Sequence, residues 1–440
     1  MRARETVLTA RQSAPFTRRQ LTLSLLLSLL AAAAFVVLSR DGKAAPAPGV
    51  NLAWDTPKHL STNSPNGAFR PVLRMAANGA LMVAYNHKTS ANTQNPYFTR
   101  STDEGQSWTM PAPIRTSSVD LRQVTLAFDN NSTAHAVWRS SAGLAHASEP
   151  QWPSSEHTIV ATSDVIIDPY LVIGGDNVLH VVWAQAQGAQ GEVHDIYYAN
   201  STNGGLTWSA PLALVFNNQR HSSAPVAVVD AANNVHVFWE ERILDLSQPD
   251  LFRYEVHYKK GTRNGPNYTW PGSATVLSGT IATARRPAAV ASGNELHVSF
   301  ARQVSNEEQY PYYKRFAPGT GWSAALDASN GHPVSVNTNA PFFLISSVAN
   351  CANGAFLYYH GSDVTNAKEQ IYGVSQYDNW GGIDVVTTDD IRNVNPSLVC
   401  RAGSLYLSIE RVELANTNHQ IYFTAGRGVY QVHLPLIVRP

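Results

Sequence analysis

The chain has 440 residues, 44% of them hydrophobic and 15% charged, with 32 Lys and Arg balancing 32 Asp and Glu. That length can bury a sizeable core, and 10% aromatic content at low charge suits short strands closed by aromatic turns. Zero net charge without a basic patch speaks against nucleic acid as a partner.

The N-terminus is of a different character. Arg2, Arg4, Arg11, Arg18 and Arg19 face a single acid, Glu5, and Leu21 to Ser39 is then a run dominated by Leu, Ala and Val. A basic flank before such a run reads as an export signal or a signal anchor over residues 1–40. Thr17-Arg18-Arg19-Gln20-Leu21 loosely resembles a twin-arginine signal. Residues 41–51 form an Ala/Pro linker, in which Ala44 to Pro48 suits either cleavage or a spacer. The expectation is an exported domain over residues 52–440, extracellular or tethered to the outer face, touching membrane only through its N-terminal segment.

Beyond the linker the chain repeats. A Pro opens a short apolar strand, a turn follows, and a second strand ends in an aromatic. Unit 1 runs from Pro71 to Tyr85, and unit 2 from Val124 to Trp138 without the Pro. Unit 3 runs from Pro169 to Trp183, unit 4 from Pro225 to Trp239 and unit 5 from Pro287 to Phe300. Unit 6 starts near Pro341 and unit 7 at Pro396. A third strand follows each pair, such as Tyr97-Phe98 and Ile196-Tyr197-Tyr198. A Trp then opens a fourth strand at Trp108, Trp152, Trp208, Trp270 and Trp322, and units 6 and 7 are degenerate there. Unit 7 lacks a fourth strand, while Trp54-Asp55-Thr56-Pro57 is an orphan one. Residues 52–60 therefore complete the last unit. The pattern predicts an all-β fold, a β-propeller of seven four-stranded blades closed by an N-terminal strand, with six blades as the alternative. Val429 to Val438 is left over as an extra strand or packing tail.

Two turns carry a stronger signature. Ser101-Thr102-Asp103-Glu104-Gly105-Gln106-Ser107-Trp108 and Ser201-Thr202-Asn203-Gly204-Gly205-Leu206-Thr207-Trp208 each lie between two strands. Asp103 or Asn203 can accept downstream N–H groups, Gly105 or Gly205 takes the left-handed position, and Trp108 or Trp208 folds back as a plug. This spacing resembles the Asp-box of sialidases and other BNR-repeat β-propellers. The resemblance covers roughly residues 52–425 as a repeat pattern, and it implies a rim position for both turns, away from any active site.

The residue before each opening Pro should cluster at one mouth of the ring. These are Arg70, Gln123, Asp168, Ala224, Arg286, Ala340 and Asn395, with Arg122 and Arg285 one step earlier. Guanidinium groups from separate blades can grip a carboxylate bidentately. Phe69-Arg70-Pro71 resembles the sialidase [FY]-R-I-P motif without its Ile, so the resemblance implies Arg70 as a carboxylate ligand. Arg122 and Arg286 are positional candidates beside it. Asp168 or Asp120 as acid, with Glu240 assisting a nucleophile, would supply two-carboxylate glycoside hydrolysis. Tyr310, Tyr312 and Tyr313 offer hydroxyls without a motif to fix one. The competing reading makes Glu240 and Glu410 loop acids paired with arginines, and the absence of a complete acid/base set favours a binding module over an enzyme. The expected ligand is a carbohydrate or an extracellular protein.

No cofactor or metal is called for. No Cys/His cluster has zinc spacing, and His135, His180, His236 and His297 recur one per unit, spread around the ring. Trp183 and Trp239 read as packing between blades. Cys351 and Cys400 are the only cysteines, and the sequence leaves their pairing open.

Overall fold

The computed structural model describes residues 52–428 except 153, 155, 187–192, 217–219, 245–251, 281, 304–307, 330–333, 336–343, 352–353, 363–367, 378 and 414–417. Residues 1–51, Ala340, Pro341 and the run from Val429 to Val438 lie outside them. The described residues form seven antiparallel sheets and no helix. The first strands are Ala68–Met75, Arg122–Phe128, Ile166–Ile173, Ser222–Val229, Ala284–Ser292, Ser346–Cys351 and Arg392–Arg401. Each touches the first strand of the next blade, and the last touches the first. The result is a seven-bladed β-propeller with these strands innermost.

The opening Pro dictates a bulge. Pro has no N–H to give the ladder. Pairing with the second strand accordingly slips between Phe69 and Val72, between Ile167 and Tyr170, and at the matching places of blades 4, 5 and 7. Blade 2 keeps the slip, between Arg122 and Thr125, although Val124 replaces the Pro. The residue before the Pro is thrown into the left-handed region. Arg70, Gln123, Asp168, Ala224, Arg286 and Asn395 all have φ between 47° and 54°. A left-handed non-glycine residue costs roughly 1–2 kcal/mol, so six of the blades carry one strained residue at the same end of the inner strand.

Packing between blades supplies the core. Tyr85, Trp138, Trp183, Trp239, Phe300 and Tyr359 end the second strands and are at most 1% exposed. Each lies against the preceding blade: Tyr85 with Tyr406 and Phe423, Trp183 with Val137 and Leu144, Trp239 with Val182 and Ala184. Full burial of such a side chain contributes about 1.5–3 kcal/mol. The repeated histidines each bind a ring of their own blade through Nδ1, and His297 Nε2 also meets Asn350 of the next blade at 2.8 Å. His180, His236 and His297 meet the hydroxyls of Tyr198, Tyr258 and Tyr313 at 2.7–2.8 Å, and His135 meets His146 at 3.0 Å.

The last blade is finished by the start of the chain. Asn418–Gly428 pairs with Leu52–Trp54 and with Lys58–His59. The Trp54 indole and the Tyr358 hydroxyl both donate to Asp384 Oδ2, at 2.8 and 2.7 Å, tying this strand to blade 6. Cys351 and Cys400 are disulfide-bonded, Cα–Cα 5.7 Å, and staple the inner strands of blades 6 and 7.

The two Ser-x-Asp/Asn turns have the expected hydrogen bonds. Ser101 Oγ accepts Gly105 N–H at 2.9 Å, and Asp103 Oδ1 accepts Ser107 N–H at 2.8 Å. Ser201 and Asn203 repeat both bonds at 2.9 and 3.0 Å. Gly105 and Gly205 have φ of 83° and 85°, and an added Cβ would drive into the Phe423 or His146 ring of the preceding blade. These turns are therefore also blade-to-blade contacts. The tryptophans correct one expectation: Trp108, Trp152, Trp208 and Trp270 precede the outer strand rather than open it. The outer strands lie further on, at Ala112–Pro113, His157–Ala161, Leu212–Ala213 and Thr275–Val276. Trp208 turns back to donate to Gly205 O at 3.1 Å, which takes it out of the ladder. Blade 6 is also less degenerate than its sequence suggests, with an outer strand at Asp384–Val385.

Closing a 49-residue separation, the disulfide should stabilise the fold by about 4 kcal/mol. Replacing both Cys351 and Cys400 by alanine is expected to lower the urea unfolding free energy by about that amount, and reduction of the wild type should match it.

Candidate functional site

The mouth of the ring at the left-handed residues is built by a repeated clasp. The bulge leaves a backbone N–H pointing out of its own ladder, and a polar side chain of the preceding blade accepts it. Glu410 Oε2 takes Arg70 N–H at 2.8 Å, Gln123 Oε1 takes Asp168 N–H at 3.1 Å, and Glu240 Oε2 takes Arg286 N–H at 3.0 Å. Asn86 Oδ1 takes the N–H of Val124, in the Pro position of blade 2, at 3.2 Å, and His360 Nδ1 meets Asn395 N at 3.4 Å. Except for Gln123, these acceptors follow the aromatic (or Ile409) at the end of a second strand.

This geometry corrects the expectation for Glu240. Its carboxylate is 1% exposed and receives the Arg285 guanidinium at 2.6 and 3.2 Å, Ser223 Oγ at 3.0 Å and the Arg286 N–H. Burial alone would raise its pKa. The Arg285 hydrogen bond, both guanidinium charges and the N–H outweigh it and hold Glu240 at about 2. A carboxylate so occupied is a structural anchor, not a group placed to assist a nucleophile. Glu410 is equivalent, bonded by Arg70 N–H, Asn395 Nδ2 at 2.8 Å and His419.

The other predicted residues are distributed as follows. Arg70 of blade 1 reaches Asp168 of blade 3 at 3.5 Å, while Gln123 of blade 2 donates to the same oxygen at 2.9 Å. Arg139 donates to Gln123 Oε1 at 2.7 Å, and the charges that act on it are those of Arg122, Asp120, Arg70 and Asp168. Arg122 pairs with Asp120, which also accepts Gln94 N–H at 2.8 Å. Blades 1 to 3 thus bring Arg70, Arg122, Arg139, Asp120 and Asp168 into one cluster. Arg286 lies on blade 5, where its N–H is held by Glu240. Its Nε is buried without a partner.

Sequence reasoning passed over Arg139, His194 and His221. Arg139 occupies the clasp position of blade 2, directly after Trp138, and that register was the available signal. His194 opens the third strand of blade 3, and its Nδ1 lies 3.2 Å from Nδ1 of His221, just before the inner strand of blade 4. His194 is 7% exposed, and its Nε2 is buried without a hydrogen-bond partner. Burial and His221 press its pKa down to about 4 against the pull of Asp168, so the ring is neutral at physiological pH. Buried polar atoms are nearly always satisfied. Arg286 Nε and His194 Nε2 are two of several buried polar atoms without a hydrogen-bond partner among the described residues.

No protein-family model and no curated protein matches the chain. Solved structures do. A polysaccharide lyase, an ulvan lyase bound to a GlcA(1-4)Rha3S repeat, aligns at TM-score 0.56 and 10% identity over 83% of this chain and 95% of its own. A protein of unknown function from Dyadobacter fermentans aligns at 0.52 and 12%, over 86% and 99%. An α-L-arabinanase from Penicillium chrysogenum, complexed with arabinobiose, aligns at 0.50 and 11%, over 85% and 98%. Sialidases match as well, among them a Hadza microbial sialidase at 0.46 and 13%, too distant to argue from. At such identities the likeness establishes the fold, a β-propeller, and nothing finer.

Because Glu240 is held below its ordinary value of 4.5, its contribution to stability is present above that value and is lost as pH falls toward 2. Glu240→Gln is expected to cost roughly 3 kcal/mol near neutral pH. The gap from wild type, read from urea unfolding at a series of pH values, should shrink below pH 4.5.

Proposed function

We propose that this chain is an exported β-propeller that recognises an anionic sugar at the mouth formed by the left-handed residues. The observation that carries the reading is the meeting of Arg70, Gln123 and Asp168, from three blades, with the half-buried Arg139 bonded to Gln123. Arg70 has 56% of its side chain exposed and holds Asp168 only at 3.5 Å, so a ligand carboxylate can compete for it. The ulvan lyase and the arabinanase are named for sugar chains, which supports carbohydrate as the ligand class. The two Ser-x-Asp/Asn turns support kinship with BNR-repeat propellers, with a structural role on the rim. Export rests on the basic flank and apolar run before residue 40, and the Cys351–Cys400 disulfide suits an oxidising compartment.

Isothermal titration of residues 50–440 with glucuronate and with sialic acid tests the reading. Arg70→Ala should weaken binding of the preferred acid about tenfold, roughly 1.4 kcal/mol. Equal binding by the variant, or no binding of either acid by the wild type, would sink it.

A catalytic reading is favoured by His194. Sialidase-like hydrolysis would need a free second carboxylate, and Glu240 is occupied while Asp168 and Asp120 face arginines. A neutral imidazole suits proton abstraction in elimination from a uronate instead. The His194–His221 pair, through the half-buried His221, would take the proton α to the arginine-held carboxylate, the C4–O4 bond would break as C4 and C5 become doubly bonded, and solvent would protonate the leaving oxygen. Incubation with a glucuronate polymer should then generate the ultraviolet absorbance of an unsaturated uronate. His194→Ala should abolish that signal and leave binding intact. Turnover of a fluorogenic sialoside without any unsaturated product would overturn elimination in favour of hydrolysis.

A further inference from the structure

Blade 4 is built differently from its neighbours above the same mouth. Its second and third strands, Val235–Leu244 and Phe252–Asn264, pair over ten rungs from Val235↔Gly261 to Leu244↔Phe252, against eight in blades 1, 3 and 5 and nine in blade 7. The added length rises beyond the clasp residue Glu240. Strand alternation puts Glu240, Arg242 and Leu244 on one face, opposite Val256, Tyr254 and Phe252 in register. On that face cations and rings alternate. The Arg285 guanidinium, anchored by Glu240, lies 3.7 Å from the Tyr254 ring centroid. Arg242 stands across from Tyr254 and lies 4.5 Å from the Phe252 centroid.

The outer rungs serve no core. Phe252 is 50% exposed and Leu244 46%, far from the buried rings that end the second strands. Arg242 has no ion-pair partner among the described residues, unlike Arg285 beneath it. A guanidinium on one side of a half-exposed ring leaves the rest of that ring for an apolar surface and the guanidinium edge for an anion. A pyranose offers both, with C–H bonds on its face and a carboxylate or sulfate at its edge.

We propose that the Arg285–Tyr254–Arg242–Phe252 ladder is a second glycan subsite, which takes a further unit of an acidic polysaccharide whose first carboxylate sits at the mouth. Continuity supports it: the ladder starts at Arg285, beside the mouth residue Arg286, and both are held by Glu240. Phe252 stacks on the sugar face, Arg242 receives the anionic group, and the lower rungs fix the height of both. The proposal rests on the anionic-sugar reading of the mouth and specifies its ligand as a chain.

Hyaluronan fragments distinguish the two sites. Wild-type residues 50–440 should bind a tetrasaccharide about tenfold more tightly than free glucuronate, equivalent to roughly 1.4 kcal/mol. Phe252→Ala and Arg242→Ala should each remove that gain while binding glucuronate unchanged, and Phe252→Tyr should restore it. Arg70→Ala should weaken both ligands together. Retention of the length gain by the Phe252 and Arg242 alanine variants overturns the ladder, as does its absence from the wild type. If glucuronate does not bind but a hexasaccharide does, and only the ladder variants weaken it, the mouth reading falls and the ladder stands. If the hexasaccharide does not bind the wild type, the ladder falls too.

Discussion

The capture of a displaced backbone N–H by the neighbouring blade underlies the rest of this structure. An inner-strand Pro cannot donate, so the strand bulges and its preceding residue adopts a left-handed backbone. An N–H released in that way would cost about 1–3 kcal/mol if buried unpaired. Glu410, Gln123, Glu240 and His360 each meet one, and each acts across a blade boundary. A second row of hydroxyls works one step further in. Thr125, Ser347 and Ser397 accept the N–H groups of Leu171, Leu398 and Leu73 at 3.0–3.3 Å. Blades that otherwise meet through apolar side chains are thereby locked in rotational register.

The same clasp prepares the mouth for function. It fixes the backbone of Arg70, Asp168 and Arg286 and leaves their side chains to project from a constrained position. Strain held at a ring of equivalent residues is a familiar partner of ligand sites, because the surrounding fold over-determines it. The clasp also decides which acids are available. Glu240 and Glu410 are consumed in holding the ring.

Around this mouth the seven blades are unequal. Blades 1 to 3 contribute the cluster of Arg70, Gln123, Arg139 and Asp168. Blade 4 contributes a tall hairpin that alternates guanidinium and aromatic groups. Blades 6 and 7 carry the disulfide and the ring closure. Repeats that share one pattern of strand, turn and aromatic thus carry different side chains at the same mouth.

The sequence by itself determined the repeat, the closing strand before residue 60 and the recurrence of one histidine per repeat, and it favoured seven blades over six. Each follows from local periodicity: a Pro, a turn and an aromatic recur at fixed spacing, and strand pairing within a blade joins neighbours in the chain. It also located the ring of residues before each Pro. What only the tertiary structure decided is which of them meet. Arg70 and Asp168 are 98 residues apart, and Glu410 reaches Arg70 N–H across 340. Such distances are set by closure of the ring, which no local pattern encodes. For the same reason the role of Glu240 was not legible, since its partners Arg285 and Arg286 belong to the next blade. His194 and His221, on separate blades and outside the repeat, became a pair only when the ring brought them to 3.2 Å.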